Sequence, residues 1–166
     1  MKPQVLIVMG SDSDLPVMEE AEEMLRKLRI PYEITVASAH RTPEQAVRLA
    51  SQAEEKGIEA IIAGAGMAAH LAGVLAAHTV VPVIGVPINS SPLSGLDALL
   101  STVQMPPGVP VAAMAIGKAG ARNAAIFSAQ IIARKDPKVA KRLRDLRKKL
   151  AEEVITKSEK LKGTRG

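Results

Sequence analysis

Val5-Leu6-Ile7-Val8-Met9, followed at once by Gly10-Ser11-Asp12-Ser13-Asp14 and then by Leu15-Pro16-Val17-Met18, decides the architecture of this chain. Five consecutive apolar residues without polar alternation describe a strand covered on both faces. That is the mark of a parallel sheet between layers of helices, not of an antiparallel sheet with one wet face. The small polar stretch after it reads as a loop, and Val17, Met18, Ala21 and Leu25 then recur on one helical face as far as about residue 28.

The same unit repeats along the chain. Residues 32–37 read as a second strand, and Thr42-Pro43-Glu44-Gln45 opens a helix in the manner of a capping box, with proline at the first helical position. That helix is expected to run to about Glu55 and to end at Lys56-Gly57. A third strand, 60–63, exits through Gly64-Ala65-Gly66 into a small-residue helix over about 68–78. Residues 83–86 and 111–116 supply strands four and five, with a helix over 94–104 between them, capped by Ser94, and another over about 120–134 after them. Asp136-Pro137 starts a last helix, whose Val139, Leu143, Leu146, Leu150 and Val154 form one narrow stripe. Strands alternating with helices over short loops predict a three-layer α/β/α sandwich with a parallel five-stranded sheet and an extra C-terminal helix. We read 1–166 as one domain, with a core over 1–134 and a basic helix over 135–166. Ligands of such sheets bind beyond the carboxyl ends of the strands, here after residues 9, 37, 63, 86 and 116.

Composition narrows the function. The apolar share of 47% and the charged share of 23% are ordinary for a soluble globular protein. No apolar run is long enough to span a membrane, and the N-terminus shows no signal-peptide pattern, so a cytoplasmic protein without membrane contact is expected. Zero cysteines excludes disulfides, thiolate metal sites and cysteine nucleophiles. The net charge of +5 divides unevenly: 135–166 carries twelve Lys or Arg against five Asp or Glu, and the remaining residues carry ten against twelve. With Tyr32 and Phe127 as the only aromatics there is almost nothing on which bases could stack, so we expect no nucleic-acid partner and read the tail as a solvated helix face.

Three loops carry chemistry. Gly10-Ser11-Asp12-Ser13-Asp14 joins a strand to a helix N-terminus, where free backbone donors suit a phosphate. Gly10 permits close approach, Ser11 and Ser13 add hydroxyls, and Asp14 better suits a ribose hydroxyl; a plain helix cap by Ser13 or Asp14 is the alternative. Ser38-Ala39-His40-Arg41-Thr42-Pro43 places a histidine, which can both give and take a proton near neutrality, beside a permanent cation suited to phosphate or carboxylate. Ala63-Gly64-Ala65-Gly66-Met67-Ala68-Ala69-His70-Leu71 lacks the glycine spacing of a dinucleotide fingerprint. Its smallness suits either close approach of a ligand or tight packing.

These three segments, taken with Pro82-Val83-Ile84-Gly85-Val86-Pro87, Ser94-Gly95-Leu96-Asp97, Val103-Gln104-Met105-Pro106 and Ala115-Ile116-Gly117-Lys118-Ala119-Gly120, resemble in order and spacing the bacterial-type N5-carboxyaminoimidazole ribonucleotide mutases, the PurE family. The resemblance spans roughly residues 4–134. It implies a flavodoxin-like sandwich that assembles as a homo-octamer, works without metal, nucleotide or biotin cofactor, and is coupled to the ATP-dependent synthetase that makes its nucleotide substrate. It implies an isomerase that moves a carboxylate from an exocyclic nitrogen to carbon four of an aminoimidazole ribonucleotide, through loss and recapture of carbon dioxide. Carried over by position, His40 shuttles the proton. Ser11, Asp14 and Arg41 contact the nucleotide, Ser13 and the Gly66 loop add phosphate contacts, and Gly10, Ser38 and His70 complete the binding set.

Two departures stand out. Met67 occupies a place where the family usually has a small residue, often glycine, and Ala72 replaces a common proline. Two rival readings are a carboxylase that uses free carbon dioxide on this or a related nucleotide, and a non-enzymatic flavodoxin-like module that binds flavin or nucleotide. The second would have no need of His40.

Overall fold

The computed structural model describes residues 2–163, so the last three residues of the basic tail lie outside the described residues. Five strands, β1 (Val5–Met9), β2 (Tyr32–Val36), β3 (Ala60–Gly66), β4 (Val83–Ile88) and β5 (Ala112–Ala113), form one parallel sheet in the order β2-β1-β3-β4-β5. Six helices accompany them: α1 (Leu15–Lys27), α2 (Pro43–Ser51), α3 (Leu71–Ala76), α4 (Leu96–Val103), α5 (Lys118–Ala133) and α6 (Pro137–Gly163). Of the three strands with neighbours on both sides, β1 and β4 are buried along their whole length and β3 over its first five residues, as their apolar sequences require, whereas edge strand β2 is half-exposed.

The two faces of the sheet have separate cores. On one, Ile7, Ile62, Ile84 and Val86 pack against Met18 and Leu25 of α1, Ala124 and Ile132 of α5, and Val139 and Leu143 of α6. On the other, Leu6, Val8, Ile61 and Val83 pack against Ala46 and Ala50 of α2 and Leu71 and Leu75 of α3. The strand order reverses between β1 and β3, since the chain leaves β1 towards β2 and returns on the other side. A crevice opens at the carboxyl ends of these two strands.

Several local expectations are corrected. The fifth strand, expected over 111–116, has two ladder residues. In β4, Pro87 accepts from Gly117 N with its carbonyl on the β5 side, at 2.8 Å. In a parallel ladder its N–H would face the same way, and proline has none, so the pairing stops. Helix α2 ends at Ser51, and 52–57 form turns. The small-residue helix is only Leu71–Ala76. Thr42 does not cap α2: its hydroxyl accepts from Ser38 N at 2.9 Å, and Gln45 reaches Val36 O instead. Ser94 does not cap α4, which begins after Gly95 with that glycine at φ 83°. Asp136 does cap α6, accepting from the amides of Lys138 and Val139. The α6 stripe is covered for only half its length: Val139, Leu143 and Leu146 are buried, but Leu150 and Val154 are 48% and 67% exposed. At 27 residues, or about 40 Å, α6 outruns the layer beneath it.

Candidate active site

The first loop is built around its own hydrogen bonds. Ser11 is extended at φ −152° and N-caps a single 3-10 turn, Asp12–Asp14. Its hydroxyl accepts from Ser13 N at 3.3 Å, while the Asp14 carboxylate accepts from Ser11 N at 3.0 Å, a reciprocal box closed within one turn. The Ser13 hydroxyl donates to Ser11 Oγ at 2.9 Å. Gly10 N donates to Gly64 O at 2.9 Å and ties the loop to β3. Asp14 is buried, and burial pushes its carboxyl above the usual 3.8; the Ser11 amide opposes this and nearby Asp12 adds to it.

The second loop presents His40 and Arg41 on a closed turn. Thr42 N donates to Ser38 O, the Ser38 hydroxyl accepts from Arg41 N at 3.2 Å, and the Thr42 hydroxyl bonds back to both backbone groups of Ser38. Arg41 Nη2 donates to Gly10 O at 3.3 Å. The guanidinium is thereby swung over the first loop with most of its five donors still free for an anion. The Ser38 hydroxyl therefore serves to hold Arg41.

The third loop brings the second histidine. His70 sits at the N-terminus of α3 but makes no side-chain cap, which leaves its ring to meet His40. His40 Nε2 and His70 Nδ1 are 2.8 Å apart, with the rings edge-on at 76°. One nitrogen must carry the proton and the other must accept it, so the contact holds a proton between two rings on different loops. Gly66 is needed for space: a Cβ there would collide with the Ser90 hydroxyl and lie 2.9 Å from Ser90 Cβ and 3.1 Å from Ile88 O. Met67 adopts φ 54°, a left-handed conformation in which glycine is unstrained, and its side chain is exposed.

These loops enclose a cavity of about 620 Å³. All nine residues singled out in the sequence line it: Gly10, Ser11, Ser13 and Asp14 from the first loop, Ser38, His40 and Arg41 from the second, Gly66 and His70 from the third. Ser90, after β4, also lines it and was not singled out. The signal was indirect, a serine in one of the five loops at strand carboxyl ends, opposite a glycine that makes room for it. Among the described residues, no three His, Asp or Glu side chains are grouped to hold a metal.

A family model described as AIR carboxylase matches residues 4–153. The chain belongs to the AIR carboxylase family. It is 56% identical over 160 residues to the N5-carboxyaminoimidazole ribonucleotide mutase of Pyrococcus horikoshii, covering 96% of this chain and 89% of that one. The Escherichia coli K12 protein of the same name is 53% identical, with 92% and 90% covered. The Bacillus subtilis 168 protein of that name is 51% identical, with 97% and 99% covered. Among solved structures, Treponema denticola PurE superposes with a TM-score of 0.87 at 29% identity, over 96% of this chain and 99% of that one. The matched region of this AIR carboxylase family member includes all three loops of the cavity and the buried half of α6.

Proposed function

We propose that this chain is an N5-carboxyaminoimidazole ribonucleotide mutase of purine biosynthesis, an isomerase acting in the cavity between the three loops. The observation that carries this reading is the His40–His70 contact at 2.8 Å, in the same cavity as Arg41 and the Ser11 and Ser13 hydroxyls. A proton carrier thus faces a cradle of phosphate-type donors. Arg41, the two serines and the Gly66 backbone hold the nucleotide, and Asp14 holds a ribose hydroxyl beside the phosphate seat. Ser38 acts through Arg41, and Gly10 lets the phosphate approach the backbone.

The proton inventory closes on one group. As the bond from the exocyclic nitrogen to the carboxylate carbon breaks, that nitrogen takes a proton from His40 and carbon dioxide is released within the cavity. Carbon four of the ring then attacks the carbon dioxide, and the hydrogen it still bears returns to His40 as the ring recovers aromaticity. His70, across its short contact, keeps the His40 ring aimed. Ala65, Ala68 and Ala39 give the cavity an apolar lining that keeps carbon dioxide beside the ring.

Self-association to the octamer is part of this reading. Leu93, Leu96, Leu100 and Val103 are 63%, 54%, 48% and 50% exposed, at spacings that place them along one side of α4 and its approach. A continuous apolar stripe of this kind fits a second copy of the chain better than water. The protein acts as one domain with α6 as an arm, and takes its labile substrate from the ATP-dependent synthetase that makes it.

The test supplies purified protein with the carbamate nucleotide, without ATP or added bicarbonate, and follows the carbon-carboxylated product by ultraviolet absorbance. Rapid formation is expected. Product only from the uncarboxylated nucleotide at high bicarbonate would replace this reading with a direct carboxylase.

A further inference from the structure

The positive charge of this chain is concentrated away from the catalytic cavity. Residues 135–149 carry eight Lys or Arg against two Asp, whereas 150–162 carry three cations against three carboxylates. The charged half of α6 faces the end of α1, and between them lies a cleft of about 500 Å³. Lys27 and Arg29 line it from the α1 side, and Lys138, Lys141, Arg142 and Lys149 from α6. Leu28 and Leu146 form an apolar floor, and Asp145 is the one carboxylate. Helix α1 runs from the carboxyl end of β1 back to the start of β2, so the cleft lies at the opposite end of the sheet from His40.

Two features distinguish this cleft from a solvated helix face. Asp145 is engaged by Lys141 at 2.7 Å, and the other five cations have no ion pair among the described residues. Arg142 Nε is buried without a hydrogen-bond partner, a costly state for a group that can only donate. Arg29 stands at φ 54° as the left-handed residue that ends α1, its amide donating to Arg26 O and the Ile30 amide to Leu25 O, and its side chain lines the cleft. Cations gathered in a concavity repel one another until an anion enters.

We propose that this cleft binds a compact polyanion of the linear oligophosphate class. Guanidinium groups suit paired phosphate oxygens, and the lysines supply point charge around them. Along α6 the excess of cations ends at Lys149, the last residue of the cleft, and no aromatic side chain lines it. Both facts favour a short chain of phosphates over a nucleic-acid strand tracking along the helix.

The experiment is calorimetric titration of the full-length protein with inorganic tripolyphosphate. One saturable site per chain is expected, weakening as salt rises from about 50 to about 200 mM because exposed charges are screened. Lys27→Glu/Lys138→Glu, both at exposed lysines, should weaken it at least tenfold. Lys157→Glu/Lys162→Glu on the charge-balanced tail and Arg41→Ala in the catalytic cavity should bind as wild type. Arg142→Met should also lose affinity; if it fails to fold, the lysine reversals carry the test. Mutase turnover of the Lys27→Glu/Lys138→Glu protein should be unchanged, which separates this proposal from the catalytic one. No saturable binding, binding indifferent to the cleft reversals, or binding lost in Arg41→Ala would overturn it. A single-stranded RNA oligomer that binds more tightly than tripolyphosphate, and is weakened by the tail reversals, would also overturn it in favour of a nucleic-acid surface.

Discussion

Gly66→Ala tests the shape of the catalytic cavity at its tightest point. The added methyl would lie 2.9 Å from Ser90 Cβ and 3.1 Å from Ile88 O, and would overlap the Ser90 hydroxyl. The Ile88 carbonyl belongs to β4 and cannot retreat, whereas Ser90 is exposed on a loop and can. The cost should therefore resemble moderate overpacking, about 1–3 kcal/mol. For a chain of this size, at about 2–4 °C per kcal/mol, Tm should fall by about 2–12 °C. Displacing the loop by about 1 Å moves a cavity wall relative to His40, and misplacement on that scale costs about 100-fold in turnover. Thermal denaturation and the ultraviolet assay read the two effects separately. Gly66→Ala/Ser90→Gly should recover most of the stability, because the hydroxyl and Cβ that obstruct the methyl are gone and only the Ile88 contact remains. It should not recover turnover, since the methyl still stands where the phosphate meets the backbone. An unchanged Tm and an unchanged kcat/KM in Gly66→Ala would refute both the close approach and the role of this wall.

Three further outcomes are expected. His40→Ala should fold with the Tm of the parent but lose about 100- to 10,000-fold in kcat, the range of a general acid–base group; turnover within a few fold of wild type would remove His40 as proton carrier. Arg41→Ala should raise KM about 10- to 100-fold with a smaller effect on kcat, because a charge-assisted hydrogen bond contributes about 1.5–3 kcal/mol; an unchanged KM would contradict its binding role. Asp14→Asn should raise Tm at neutral pH while weakening substrate binding. The folded-state pKa of Asp14 is raised above 3.8 by burial, so its stabilising contribution is fully present below that value and is lost as pH rises through the folded pKa. Asparagine keeps an acceptor for Ser11 N without the buried charge. The gain in Tm over wild type should therefore shrink as the pH falls to about 4, and a gain independent of pH would contradict the burial argument.

The layered architecture was legible because it depends on local patterns that global packing reinforces. Val5–Met9 and Val83–Ile88 are apolar throughout because both faces of each strand are covered, and burial along a whole strand leaves a mark in sequence. The edges left no such mark. The shortening of β5 follows from a missing N–H at Pro87 on the neighbouring strand, and no window over 111–116 contains that fact. The Thr42 cap failed for a related reason. Thr42 has the right identity and spacing to cap α2, but its hydroxyl is taken by Ser38 across the turn that orients Arg41. The exposure of Leu150 and Val154 depends on where the layer beneath α6 ends, which is again not local.

The candidate site divides along the same line. Sequence by itself determined the chemistry available: a histidine beside an arginine, hydroxyls after the first strand, and small residues after the third, each at a strand's carboxyl end. Their ordered combination was specific enough to point to the family. Only the tertiary structure decided that His40 meets His70 thirty residues away, that Ser90 fills the space left by Gly66, and that Asp14 turns inward to the Ser11 amide. The reason is topological. Residue type and strand-end position are properties of the chain, whereas distances between loops are set by the reversal of strand order between β1 and β3, which places loops remote in sequence around one crevice.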